Sequence, residues 1–305
     1  MMLSTNSKNV FVAVVGASNA GKSTLINSLV GQKVSIVSPK PQTTRTKILG
    51  ILTKNQTQFV FVDTPGIHTP KTQLGKYMQK AINSSVSSVD VAILVSDITK
   101  KIKQDEINLL EKLNKSGMPT LLVLNKIDLV KDKSTILKHI QNFSNLHKFN
   151  SIIPLSALKK DGIDVLLDEL VQFATFGAHF FDDDDLTDQP EKVLVAEIIR
   201  EKMLQLLNQE IPHGTAVAVE SMKNRRNAQF FDINVTIYCD KENHKKIIIG
   251  KNGAMLKKIG SLARQDIEAL LDAKINLKIW LKVKENWKNN TILMKNFGYD
   301  FKNFN

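Results

Sequence analysis

The chain has 305 residues and carries 42 lysines and arginines against 30 acidic residues, a net charge of +12 that favours a polyanionic partner. With 42% hydrophobic and 24% charged residues, it has the composition of a globular protein of about two domains, which excludes collagen-like, coiled-coil and disordered chains. Its one cysteine, Cys239, cannot form an internal disulfide, so a disulfide framework is excluded and a reducing compartment is favoured.

The first part of the chain predicts an α/β fold. The apolar run Val10–Val15 ends at a glycine, which indicates a strand rather than a signal peptide. No apolar stretch reaches the roughly 18 residues of a membrane-spanning helix, so we expect any membrane contact to be peripheral. Short β-branched runs alternate with helical patterns, as in a mostly parallel sheet with crossover helices. The further predicted strands are Lys47–Leu52, Gln58–Val62, Val91–Val95, Thr120–Leu124 and Ser151–Ile153.

Charge divides the chain into three parts. Residues 1–175 have a net charge of +10, residues 176–191 of −6 and residues 192–305 of +8. The middle part has no helical or strand periodicity and contains Asp182–Asp185, which we interpret as a solvated charge run rather than a metal site. We therefore predict two basic domains joined by an acidic linker.

The third part has a different order of elements: helix, strand, strand, helix, helix and strand. The last residues predict a helix with a loosely held tail. We interpret Trp280 and Trp287 as core or helix-packing residues rather than platforms for bases. The predicted elements are a helix at 193–208, strands at 215–221, 228–238 and 275–283, and helices on either side of Gly250–Gly253.

A complete phosphate-loop motif, G-x-x-x-x-G-K-S, stands between the first predicted strand and a predicted helix. In this context successive backbone N–H groups can surround a β-phosphate, Lys22 can neutralise β- and γ-phosphate oxygens, and the Ser23 hydroxyl can bind Mg²⁺. The residues of this loop that we assign to a nucleotide are Gly16, Asn19, Ala20, Gly21, Lys22, Ser23 and Thr24.

Three more loops at predicted strand ends carry nucleotide chemistry. Asp63-Thr64-Pro65-Gly66 offers a carboxylate for the Mg²⁺ shell and a glycine N–H for a γ-phosphate. In Asn125-Lys126-Ile127-Asp128, the last carboxylate can accept hydrogen bonds from guanine N1–H and its exocyclic amine, whereas adenine would leave it unpaired. The backbone of Ser156-Ala157-Leu158 can meet the guanine carbonyl.

These four motifs, in this order, resemble those of the translation-factor-related GTPases. The resemblance implies binding of GTP, GDP and Mg²⁺, selection of guanine by Asp128, and closure of a first-switch threonine on the metal. We match Thr44 to that threonine, with Thr43 as the alternative. The implied metal ligands are Ser23, Thr44 and Asp63, and the implied catalytic residues are Lys22, Thr44 and Gly66.

The residue after the D-x-x-G motif is Ile67, where small signalling GTPases have the glutamine that orients the attacking water. An aliphatic side chain cannot polarise water, so another residue or a monovalent cation must stabilise the developing charge. Asn19 matches the asparagine that binds K⁺ in related GTPases with a hydrophobic residue at this place. We hypothesise slow hydrolysis stimulated by K⁺; the alternative is that Asn19 is a turn residue bonding its own loop.

The third part of the chain resembles a type II KH domain, because a G-x-x-G lies between two predicted helices, after two strands and before a third. Such glycines let a backbone approach the phosphates of a single strand beside a groove for about four unpaired nucleotides. Taken alone, G-x-x-G is usually a helix–helix turn. The residues that we assign to RNA are Ile249, Gly250, Lys251, Asn252, Gly253, Lys257 and Lys258, with Lys245, Lys246, Arg225 and Arg226 adding local charge.

One such GTPase domain followed by one type II KH domain resembles the Era family of bacterial GTPases over nearly the whole chain. The implied fold is an α/β P-loop GTPase domain at 1–175, a linker at 176–191 and an α+β KH domain with a C-terminal helix at 192–305. The implied function is a GTP-hydrolysing switch that binds the 3′ end of 16S rRNA and acts in assembly of the 30S subunit. The resemblance further implies a cytoplasmic protein loosely associated with the inner membrane face, and a monomer is the default.

Two other interpretations stay open at this point. The basic second domain could dock on anionic lipid or on a protein partner, although no obvious basic amphipathic helix supports this. A constitutive RNA-binding protein with an inactive GTPase is disfavoured by the intact Lys22, Ser23, Asp63 and Asp128. The six histidines show no paired metal-ligand spacing, and we predict no zinc site.

Overall fold

The computed structural model describes residues 7–66, 70, 72–86, 88–225 and 229–301. The chain forms two compact units. The first consists of residues 1–37, 44–69 and 78–188, and the second of residues 38–43, 70–77 and 189–305. Ile67 and Arg226, which the sequence analysis singled out, lie outside the described residues. In the described part of the chain, no helix is both long and apolar enough to cross a bilayer.

The first unit is built on one twisted sheet whose strands follow the order β2-β3-β1-β4-β5-β6, with β7 paired to β1. All neighbouring pairs from β3 to β6 are parallel, and β2 and β7 are antiparallel additions, so the prediction of a mostly parallel sheet is confirmed. The strands are β1 (Lys8–Val15), β2 (Ile48–Lys54), β3 (Thr57–Asp63), β4 (Val91–Asp97), β5 (Thr120–Asn125), β6 (Ser151–Leu155) and β7 (Thr175–Phe176).

Helices cover both faces of this sheet, because its central strands are apolar on both sides. Leu25, Ile26 and Leu166 belong to the core on one face, and Leu110 and Phe143 to the core on the other. The parallel order brings the carboxyl ends of β1, β3, β5 and β6 to one edge, where all four motif loops begin. The helices are α1 (Lys22–Val30), α2 (Gln73–Val86), α3 (Gln104–Ser116), α4 (Ser134–Ser144) and α5 (Ile163–Val171); residues 73–77 of α2 belong to the second unit.

Between β7 and the next helix, residues 177–190 form no helix or strand. Asp182–Asp185 are all exposed, as expected for a solvated run. Part of this stretch follows the first unit: the side-chain amide of Gln58 donates to the Phe181 carbonyl at 2.9 Å, and the Ile51 N–H donates to the Leu186 carbonyl at 2.9 Å.

The second unit contains a three-stranded sheet of order β10-β9-β8, in which β8 and β9 are antiparallel and β9 and β10 are parallel. Three of its helices, α6, α7 and α8, pack on one face of the sheet around a core that includes Val195, Ile237, Ile259 and Ile275. The elements are α6 (Glu191–Leu206), β8 (Thr215–Asn224), β9 (Phe230–Cys239), α7 (Glu242–Ile249), α8 (Ala254–Leu271), β10 (Lys274–Val283) and α9 (Thr291–Asn296).

The two tryptophans differ, and the prediction for one of them is wrong. Trp287 is fully buried, and its indole N–H donates to the Gly214 carbonyl at 3.0 Å. Trp280 is 48% exposed, because it lies on the face of β10 that points away from the helices. Part of the predicted loose tail is packed, since the Tyr299 ring is buried and stacks on Trp287 with ring centroids 6.0 Å apart.

Candidate functional site

The phosphate loop joins β1 to α1 and has the backbone geometry that its glycines allow. Gly21 adopts φ +99°, and a Cβ at this position would lie 2.2 Å from the side-chain nitrogen of Asn125. That nitrogen donates to the Ala20 carbonyl at 2.9 Å, so the loop after β5 fixes the phosphate loop directly. Asn19 also has a positive φ, +65°, a conformation that asparagine tolerates in turns.

Lys22 is buried at the start of α1 and its ammonium group is held inside the loop. It donates to the carbonyls of Gly16 and Ala17, both at 3.0 Å. Burial lowers the pKa of Lys22 to about 8, against the opposing effects of the Asp63 and Glu106 charges. An anion placed among the loop N–H groups would stabilise the charged form of Lys22, as a bound phosphate does.

Three predicted metal ligands meet beside the loop. The Ser23 hydroxyl donates to Oδ2 of Asp63 at 2.8 Å, and Oγ1 of Thr44 lies 2.9 Å from the Ser23 oxygen and 3.3 Å from the same carboxylate oxygen. Thr43, the alternative to Thr44, instead donates its hydroxyl to the Lys40 carbonyl at 2.7 Å. The structure therefore brings Thr44, and not Thr43, to the other two ligands.

This group of oxygens fits a magnesium ion. Oδ1 of Asp63 is buried and has no hydrogen-bond partner among the described residues. Burial raises the pKa of Asp63, although Lys22 and three hydroxyl groups oppose the shift. Hydroxyl and carboxylate oxygens are the protein ligands that Mg²⁺ accepts, and a divalent cation would satisfy the buried, unpartnered oxygen.

Sequence reasoning missed one member of this group. Ser35 is 2% exposed and its hydroxyl donates to Oδ2 of Asp63 at 2.8 Å. It lies in the connection between α1 and β2, where no motif marks it. Asn27 fixes that connection, because its side-chain oxygen accepts the N–H groups of Val34 and Ser35, each at 2.9 Å.

Gly66 closes on the phosphate loop from the end of β3. A Cβ at Gly66 would lie 2.5 Å from the Ser18 hydroxyl and 2.7 Å from the Ser18 Cα, so a larger residue would displace the loop backbone. This contact places the backbone of Gly66 against the phosphate loop, as expected for a residue whose N–H meets a γ-phosphate.

The predicted guanine-binding residues come together at the ends of β5 and β6. The Ser156 hydroxyl donates to Oδ1 of Asp128 at 2.6 Å, which orients that carboxylate. Oδ1 of Asn125 accepts the N–H groups of Lys126 and Ala157, at 2.8 and 3.0 Å. Of the predicted set, Leu158 is largely exposed and makes no comparable contact among the described residues.

Lys126 reaches back over the phosphate loop. Its ammonium group donates to the Asn19 carbonyl at 2.8 Å and to Oδ2 of Asp97 at 2.6 Å. Asp97, at the end of β4, is a second residue that the motifs did not reveal. Burial raises the pKa of Asp97, but hydrogen bonds from Lys126 and Thr99 outweigh it and hold the pKa below its ordinary value.

The G-x-x-G loop of the second unit lies between α7 and α8. Gly250 and Gly253 have positive φ values, +74° and +78°, and Lys251 and Asn252 between them are exposed. A groove of about 440 Å³ lies beside this loop, between α8 and β10. Its lining includes Gly253, Leu256, Lys257, Asn276, Leu277 and Ile279.

The other predicted RNA residues are placed around this loop. Lys258 is exposed on α8, and Ile249 ends α7. Arg225 is engaged elsewhere: its guanidinium donates to both oxygens of Asp232, at 2.6 and 2.8 Å, and lies 4.3 Å from the centre of the Phe230 ring.

Two parts of the chain match models of known protein families. Residues 11–126 match the model of the 50S ribosome-binding GTPase family, and residues 210–288 match that of the KH domain. GTPase Era of Ruminiclostridium cellulolyticum is 48% identical over 96% of this chain and 97% of its own length, and GTPase Era of Clostridioides difficile is 47% identical over 97% and 99%.

The chain belongs to the Era family of GTPases. Family membership and the GTPase domain establish that it hydrolyses GTP. Its fold matches an Era solved in complex with MgGDPNP and nucleotides 1506–1542 of 16S ribosomal RNA. The match has 37% sequence identity and a TM-score of 0.93, and it covers 97% of this chain and 100% of the other. A point variant of Aquifex aeolicus Era bound to GDP.AlF4⁻ matches with the same TM-score, 36% identity and coverage of 96% and 100%.

Proposed function

We propose that this Era-family chain is a GTP-controlled switch that binds the 3′ end of 16S rRNA through its second unit and acts in assembly of the 30S subunit. The observation that carries the proposal is the presence, in one chain, of a guanine-nucleotide site on the first unit and a G-x-x-G loop beside an open groove on the second. The relative solved with MgGDPNP and a 16S rRNA fragment supports the same pairing of ligands.

In the nucleotide site, each assigned residue has a distinct task. The phosphate-loop N–H groups and Lys22 bind the phosphates, Gly66 contacts the γ-phosphate through its N–H, and Asp128 selects guanine. Ser23, Thr44 and Asp63 hold Mg²⁺, which, when bound, neutralises the charge that develops on the phosphate oxygens. The Asp128 carboxylate is already oriented by Ser156 at 2.6 Å, so little ordering is left for guanine binding.

Potassium is the proposed source of the missing charge stabilisation in hydrolysis. Lys126 holds the Asn19 carbonyl at 2.8 Å, which restrains the loop position of Asn19 while the residue keeps its left-handed backbone. GTP hydrolysis should run faster in K⁺ than in Na⁺ at equal ionic strength, and Asn19→Ala should remove the difference. Equal rates in the two salts, or an unaffected variant, would return Asn19 to the role of a turn residue.

RNA binding is assigned to the groove between α8 and β10. Its wall combines apolar Leu256, Leu277 and Ile279 with Lys257 and the backbone of Gly253, a pattern suited to unpaired bases beside a phosphate backbone. The test is Gly253→Asp, which places a negative charge where phosphates approach.

The matched control for Gly253→Asp is Gly117→Asp. Both glycines have positive φ, +78° and +64°, and a Cβ at either position meets no atom within 4 Å, so the two variants introduce the same charge at similar backbone positions. We expect Gly253→Asp to abolish binding of a single-stranded RNA copying the 16S 3′ end, and Gly117→Asp to leave it intact. Equal losses, or no preference over a scrambled RNA, would contradict the assignment and favour a lipid or protein partner.

Three parts of the wider expectation stay predictions. A cytoplasmic location is favoured by the single cysteine and the family resemblance, peripheral association with the inner membrane face derives from the resemblance alone, and the monomeric state is a default. Flotation with anionic vesicles and sedimentation of the purified protein are the measurements that address them.

A further inference from the structure

The exposed face of β10 carries an indole between two ammonium groups. Side chains alternate across a strand, so Lys278, Trp280 and Lys282 project from the face opposite the helical core, to which Ile275 belongs. All three are exposed, and Trp280 is 48% exposed. We call Lys278, Trp280 and Lys282 the Trp280 strip.

The strip keeps its positive charge. Among the described residues, the salt bridges of the second unit involve other lysines. Lys278 contributes a weaker attraction that helps to lower the pKa of Asp232. Asp232, a carboxylate on the same sheet face, is held by the bidentate Arg225 and by the Asn276 amide at 2.8 Å. A second carboxylate, that of Glu220, accepts a hydrogen bond from the Tyr238 hydroxyl at 3.2 Å.

The strip and the groove beside the G-x-x-G loop meet at Asn276. Asn276, Leu277 and Ile279 of β10 line that groove, and of these Asn276 lies on the same face of the strand as Trp280. Trp280 is four positions beyond Asn276, which corresponds to about 13 Å along the strand. A single-stranded RNA that leaves the groove over β10 therefore meets the indole of Trp280 and its flanking lysines.

We propose that the Trp280 strip binds single-stranded RNA that continues beyond the groove, with one base stacked on Trp280 and phosphates near Lys278 and Lys282. This inference rests on the proposed function of the groove. A KH groove accommodates about four unpaired nucleotides, so a longer strand must leave it over a wall. An exposed aromatic ring flanked by cations is the arrangement that supports base stacking without a preference for sequence.

Oligomer length separates the two surfaces. The full chain is titrated with a four-nucleotide and an eight-nucleotide RNA copied from the same end of 16S rRNA. Trp280→Ala should weaken octamer binding roughly tenfold and leave the tetramer unchanged, while Trp280→Phe, which keeps a ring, should retain most of the affinity. Lys278→Gln and Lys282→Gln should each lower the salt dependence of octamer binding by about 0.7 in the log–log slope, and Lys112→Gln on α3 should not.

Intrinsic fluorescence gives an independent readout, because the sequence has only two tryptophans and Trp287 is buried. The octamer should quench the emission of the wild-type chain, the tetramer should not, and Trp280→Phe should abolish the quenching. Suppose that the tetramer binds and Gly253→Asp abolishes its binding, but Trp280→Ala leaves octamer binding unchanged. That result would overturn the inference and keep the assignment of RNA binding to the groove. Failure of the tetramer itself to bind would overturn both.

Discussion

The ammonium group of Lys126 lies 2.6 Å from the Asp97 carboxylate, which is itself fixed by the Thr99 hydroxyl at 2.6 Å. Lys126 also holds the Asn19 carbonyl. Asp97 thus anchors the lysine that joins the guanine-binding loop to the phosphate loop. Asp97 itself is not among the residues that the motifs assign to the phosphates or to guanine. Charge-assisted hydrogen bonds of this kind stabilise by roughly 1.5–3 kcal/mol.

Asp97→Asn should therefore weaken GDP binding about tenfold or more, because the lysine loses its charged partner. Isothermal titration measures the loss. The double variant with Lys126→Met is the control, since Asp97→Asn should add little once the lysine is gone. Additive losses in the double variant would show that Asp97 acts on the nucleotide by another route.

Replacing Asp128 should change which base is bound. Asp128→Asn exchanges a carboxylate acceptor for an amide that can donate, so GTP affinity should fall by at least a hundredfold and xanthosine triphosphate, which has a carbonyl in place of the amine, should bind better. Competition binding with both nucleotides measures the exchange. Asp132→Asn, at an exposed residue that bonds Ser134, is the matched control and should leave the preference for guanine unchanged.

The two neighbouring threonines should differ in their effect on magnesium. Thr44→Ala removes a hydroxyl 2.9 Å from Ser23, so Mg²⁺ should no longer strengthen binding of a non-hydrolysable GTP analogue, while GDP affinity changes little. Thr43→Ala removes only the bond to the Lys40 carbonyl. Binding of both nucleotides with and without Mg²⁺ gives the result, and an equal response of the two variants would contradict the assignment of Thr44.

Nucleotide affinity should decrease at alkaline pH. The pKa of Lys22 is about 8 in the free site, and phosphate raises it on binding, so the complex takes up a proton above pH 8. Affinity is thus fully present below about pH 8 and falls by up to tenfold per pH unit above it. Lys22→Met should bind the nucleotide weakly and lack this pH dependence. Titration of guanine itself affects both proteins equally. A wild-type profile parallel to that of Lys22→Met would contradict the assignment.

Most of the fold and of the nucleotide site follows from local patterns. The phosphate loop, Asp63 and Asp128 stand at strand ends that periodicity alone predicts, and parallel order brings strand ends together. The sequence analysis did not predict Ser35 and Asp97, because each acts through a contact between segments that are distant in sequence. A serine in a connecting loop and an aspartate ending a strand carry no local mark of that role.

Trp280 escaped for a different physical reason. Alternation along β10 places it opposite Ile275 and Ile279, but the sequence does not tell which face of a three-stranded sheet receives the helices. An aromatic residue among apolar neighbours is usually buried, and here the packed face is the odd-numbered one. Ile67, on which the water-positioning question depends, lies outside the described residues.

We expect the nucleotide state of the first unit to control RNA binding. Residues 38–43, directly before Thr44, belong to the second unit, whereas Thr44 belongs to the first, so we expect ordering of Thr44 on Mg²⁺ to affect residues 38–43. The decisive measurement is the affinity for the 16S 3′-end RNA of the chain loaded with GDP and with a non-hydrolysable GTP analogue, against a scrambled RNA. We predict selective binding that is stronger with the analogue; equal affinity in the two states would contradict the switch.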